Sequence, residues 1–116
     1  METAIVYVLI FLLGPFIGGI GSIVLMPVIL GVCRATTPAA GGIVAGIVQS
    51  FIAAWVGTII FGWFDLMPSL LMLVVLGIGF LLFDLNRYAT RGPSSLEIGC
   101  YIGHVGGLVL AAAILL

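Results

Sequence analysis

From Ala4 to Leu116 the chain is a succession of apolar runs parted by short polar or helix-breaking segments. About 20 apolar residues cross a bilayer as helix, and in lipid a helix satisfies its own backbone where water cannot. Only 6% of the residues are charged and 64% are hydrophobic, whereas a soluble domain carries about 25% charged residues. Such a chain is solvated by lipid, not by water. The sequence therefore predicts an all-α membrane protein with four transmembrane helices. They form two helical hairpins within a single integral membrane domain, residues 1–116. The expected spans are about 4–32, 39–64, 67–85 and 95–116.

The first span is longer than one crossing requires, and it contains Gly14-Pro15 and then Pro27. Pro15 has no N–H for the carbonyl of residue 11 and crowds it, so the first helix is expected to be kinked or broken near Gly14-Pro15. Small residues recur every four positions: Gly14, Gly18 and Ser22; Gly42, Gly46, Ser50, Ala54 and Thr58; Gly99, Gly103, Gly107 and Ala111. Such stripes let helix backbones approach closely in lipid, where packing drives association, so these glycines are the expected helix-packing positions. The third span has no polar group between Ser69 and Asp84 and reads as the most lipid-exposed. Its start follows the break Gly62–Pro68, where Trp63 and Phe64 suit a membrane interface. Ser94 or Ser95 would cap the fourth helix, with Glu97 in its first turn.

The chain has no lysine, and Arg34, Arg87 and Arg91 all fall in the first and third connections. The positive-inside rule then puts both termini on the non-cytoplasmic side of a multi-pass protein. Each half carries arginine, then proline (Arg34 and Pro38; Arg91 and Pro93), then a glycine-rich helix, the outline of a parallel repeat. A net charge of −1 without a basic patch excludes nucleic acid as a partner. The expected partners are the lipid bilayer and either other membrane subunits or further copies of the chain, met through glycine-rich faces.

A polar side chain at mid-membrane is a site hypothesis by default. Counting about 1.5 Å per residue puts Gln49 and His104 at similar depth, with Ser22 close to it, so these three form the candidate mid-membrane polar site. Glu97, Tyr101 and His104, spaced by four and three, share a helical face. The acids Glu2, Asp65, Asp84 and Glu97 all read as lying at or near span ends, so no membrane-embedded acid is expected. Cys33 and Cys100 form neither a disulfide framework nor a metal motif and read as small buried hydrophobes. His104 between Gly103 and Gly107 leaves room for a flat macrocycle, which makes axial ligation of haem or chlorophyll a minor alternative. No other cofactor or metal follows from the sequence. The run Gly103-His104-Val105-Gly106-Gly107 resembles the histidine segment of rhomboid proteases, but their Gly-x-Ser-Gly segment is missing and no enzyme is expected. The leading functional expectation is a non-catalytic subunit of a larger membrane complex. The alternative is a homo-oligomeric transporter or channel for a small solute or ion, using the mid-membrane polar site.

Overall fold

The computed structural model describes residues 2–91 and 95–116. They form five α-helices: α1 (Glu2–Val24), α2 (Met26–Ala35), α3 (Pro38–Trp63), α4 (Leu70–Arg91) and α5 (Ser95–Leu115). Of these, α1, α3, α4 and α5 are long and apolar enough to cross a membrane. The longest dimension of the bundle, 45 Å, matches a bilayer with its headgroup layers, about 40–45 Å.

The first apolar run is two helices, and it does not break where the sequence suggests. Helix α1 continues through Gly14 and Pro15, and the interruption comes at Leu25, ahead of Pro27. Pro27 has no N–H for the carbonyl of Ile23 and crowds it, so α1 cannot run on through this point, whereas in the first turn of a new helix its missing donor costs nothing. Leu25 closes α1 by donating to Gly21 O (3.1 Å), and its own carbonyl then accepts from Val28 and Ile29 to start α2. Pro15 is accommodated by a neighbour. The Phe11 carbonyl that it leaves without a helical donor faces Gly79 of α4, so close that a methyl at Gly79 would lie 2.9 Å from that oxygen.

Local chemistry sets the other ends. Thr37 caps α3, its Oγ1 accepting from Ala40 N–H (3.2 Å), with Pro38 in the first turn where its missing donor costs nothing. At the far end of α3, Leu66 N–H reaches Phe61 O (2.8 Å) and Asp65 N–H reaches Gly62 O (3.2 Å). This is a Schellman closure with Asp65 at φ 55°, a left-handed conformation more usual for glycine. Ser69 starts α4 by accepting Met72 N–H and also meets the Tyr7 hydroxyl at 3.2 Å. The expected caps or turn residues Pro93 and Ser94 lie outside the described residues.

Helix α3 is the hub and touches each of the other four. Its most extensive partner is α5, which is not its neighbour in the chain. The two run parallel: Gly99 lies against Ala39, Gly103 against Ile43 and Gly46, and Gly107 against Ile47 and Ser50. A methyl at Gly103 would come within 2.9 Å of Gly46 Cα and Ile47 N, backbone atoms that have nowhere to move. Below this contact, Val6, Ile10, Ala53, Phe61, Met72, Leu76 and Phe80 make the apolar core, with Tyr7 edge-on to Phe61 at 5.2 Å. The least buried of the four long helices is α1 and not the third span: 22% of its apolar stretch is buried against 35% for α4.

Candidate functional site

Helix α4 runs to Arg91, six residues past the expected end of the third span at residue 85. Nothing between Asp84 and Arg91 breaks a helix; the first breakers are Gly92 and Pro93. Asp84 therefore sits inside a membrane-length helix, about 10 Å along it from Arg91. It also continues the buried stripe Leu73, Leu76 and Phe80 at helical spacing, so its carboxylate enters the bundle. Asp84, expected at the end of the third span, lies instead six residues before the end of the apolar stretch Leu70–Thr90 and is 4% exposed within the bundle.

Its partner is His104. Nδ1 of His104 lies 2.7 Å from Asp84 Oδ2, and Nε2 lies 2.6 Å from Gln49 Oε1. Cys100, one turn before His104 on α5, places Sγ 3.6 Å from Nε2 and donates to Gln49 Oε1 at 3.8 Å. The ring lies against Phe80, centroids 4.4 Å apart and tilted by 32°. His104, Cys100 and Gln49 are all buried. Three helices thus converge on one imidazole, and the close α3–α5 approach through Gly46 and Gly103 is what brings Gln49 within reach.

Nδ1 faces a carboxylate oxygen, to which it donates, while Nε2 faces the Gln49 side-chain amide and the Cys100 thiol. The network runs from Asp84 through the imidazole to Gln49 and Cys100, and every polar group in it has a partner.

Of the three sequence-predicted site residues, Gln49 and His104 meet. Ser22 does not join them: it is half-buried on α1, and among the described residues no hydrogen bond links its side chain to either. Residues that sequence reasoning left out, Asp84 and Cys100, complete the cluster. The shared face of α5 also differs in one member. Glu97, Cys100 and His104 are its buried residues, whereas Tyr101 is 37% exposed. Glu97 lies about 10 Å from His104 along the helix, towards the end that begins at Ser95. Cys33 is half-buried against Gly41, where α2 meets α3. Beside His104, α4 and α5 part to leave an apolar groove of about 370 Å³ bordered by Gly77, Asp84, Tyr101 and Leu108.

No protein family, curated protein or solved structure matches this chain.

Proposed function

We propose that the chain is a small multi-pass membrane carrier for protons or small cations, with the Asp84–His104–Gln49 network as its working centre. The observation that carries this reading is a carboxylate and an imidazole paired at 2.7 Å within membrane-length helices. Ionisable groups are costly at that depth and mark ion and proton pathways in membrane proteins. Glu97, Cys100 and His104 form a line of buried polar groups leading inward from the start of α5, which supplies an approach from one membrane face. In this reading the bundle is two hairpins packed through glycine faces, including Gly42, Gly46, Gly99, Gly103 and Gly107. Both termini lie on the non-cytoplasmic side, as the arginines indicate. The working unit is a homo-oligomer, since so small a bundle encloses little volume by itself.

Reconstitution into liposomes with a trapped pH-sensitive dye tests the reading. An imposed pH gradient should collapse faster with the protein than without it, with or without added sodium, potassium or divalent ions. Asp84→Asn and His104→Ala should return the rate to that of empty vesicles. Vesicles containing folded protein that behave as empty ones under every ion condition would rule the carrier out.

A second reading, a non-catalytic subunit of a larger membrane complex, is favoured by the outer face of α1. There Gly19 has open space around it beside exposed Phe16, Ile20 and Ile23. Co-purification of other chains in stable ratio, with no flux from the isolated protein, would support it. The haem or chlorophyll alternative is not carried forward, because the space beside Gly103 and Gly107 that a flat macrocycle would need is filled by Ile43, Gly46, Ile47 and Ser50 of α3.

A further inference from the structure

We infer that the same network is a binding site for one divalent transition-metal ion of borderline softness, zinc being the expected one. Its ligands are Cys100 Sγ, His104 Nε2 and Gln49 Oε1, and Asp84 orients the imidazole from behind. The inference rests on the carrier reading of this centre and names its ion.

The three donor atoms form a triangle with edges of 3.6 Å (Sγ to Nε2), 3.8 Å (Sγ to Oε1) and 2.6 Å (Nε2 to Oε1). Tetrahedral zinc with ordinary Zn–S, Zn–N and Zn–O lengths needs such donors about 3.3 to 3.6 Å apart. The two edges to sulfur are already close to that spacing. The third opens by about 0.7 Å, a movement within reach of the flexible Gln49 side chain. Asp84 approaches Nδ1, on the other side of the ring from Cys100. That is the carboxylate–histidine–metal arrangement, in which the carboxylate holds the Nδ1 proton and fixes the ring while Nε2 binds the ion.

Charge favours a divalent ion. When the ion binds, the S–H bond of Cys100 breaks, its proton and any proton on Nε2 of His104 leave to solvent, and M–S and M–N bonds form with no change of oxidation state. The loaded cluster then holds one carboxylate, one thiolate and M²⁺, which sum to zero, so it places no net charge in a low-dielectric interior. A monovalent ion at the same ligands would leave an unbalanced negative charge. Magnesium and calcium prefer oxygen-only shells, whereas a mixed S, N and O set suits zinc.

The test uses the full chain in mild detergent, with zinc chloride as the probe, isothermal titration calorimetry for affinity and X-ray absorption for the ligand shell. One zinc per chain should bind, with one sulfur and the remaining ligands nitrogen or oxygen, and excess magnesium should not displace it. Asp84→Asn should weaken binding about 10- to 100-fold, as loss of an orienting carboxylate does, and Cys100→Ser at least as much. Cys33→Ser should leave affinity unchanged, and circular dichroism should show Cys100→Ser still folded. A sulfur-free shell, or equal affinity in wild type and folded Cys100→Ser, would overturn the site. Zinc bound as described but without flux in liposomes would sink the carrier reading alone. Flux without zinc binding would sink only the identity of the ion.

Discussion

Truncating Asp84 should damage the bundle far more when His104 is present than when it is absent. The two side chains are 4% and 2% exposed and meet at 2.7 Å. In soluble proteins, removing one member of a buried ion pair costs about 3 to 5 kcal/mol, because the other is stranded. Between membrane helices the separated state finds other partners, and single interhelical hydrogen bonds fall to about 0.6 to 2 kcal/mol. A charge-assisted bond that also orients the Gln49 contact belongs between these limits, so Asp84→Ala should cost about 2 to 4 kcal/mol. His104→Ala should cost a similar amount, together with the contact of its ring with Phe80. The double variant strands neither group, and the coupling should be about 1 to 3 kcal/mol. Equilibrium unfolding in mixed micelles of dodecyl sulfate and a mild detergent, followed by circular dichroism, measures all four proteins. Costs that add to within about 0.5 kcal/mol would show that the pair is not interacting and refute the argument.

Two other positions give sharp expectations. Gly103→Val places side-chain atoms against the backbone of Gly46 and Ile47. It should destabilise by about 3 kcal/mol, the upper end for overpacking, whereas Gly19→Ala, with open space around it, should match or exceed wild type by up to about 1 kcal/mol. The same unfolding assay ranks them, and equal midpoints for the two variants would contradict the α3–α5 approach. Asp65→Gly relieves a left-handed residue at φ 55° and should raise stability by about 0.5 to 1 kcal/mol. A lowered midpoint would mean that the aspartate side chain itself holds the turn.

Much of the architecture is legible without coordinates, because lipid imposes a simple rule: long apolar runs become helices. The number of membrane-length helices follows from that, and so does the close pairing of Gln49 with His104, which needs only a count along two helices. Three features are less legible, each for a physical reason. Proline predicts a kink or a break but not which of the two: α1 stays continuous through Pro15, where Gly79 of α4 lies against the freed Phe11 carbonyl, while the chain breaks ahead of Pro27. A hydropathy window ends the third span at the first acid, and that hides Asp84. The signal that finds it is the stripe Leu73, Leu76, Phe80, Asp84 together with the absence of a breaker before Gly92. Cys100 reads as a small hydrophobe because its neighbours in sequence are apolar. Its polar role arises only when α3 brings Gln49 across from 51 residues away.

The account stands on Asp84 reaching His104 inside the membrane, and the chain offers an unusually direct probe, since His104 is its only histidine. Nitrogen-15 magnetic resonance of histidine-labelled protein in lipid bilayers, prepared free of metal, reports the proton on each ring nitrogen without assignment. The expected spectrum shows Nδ1 protonated, with the Nδ1 signal displaced in Asp84→Asn and the Nε2 signal in Gln49→Ala. Signals indifferent to both substitutions would contradict the network and the function built on it.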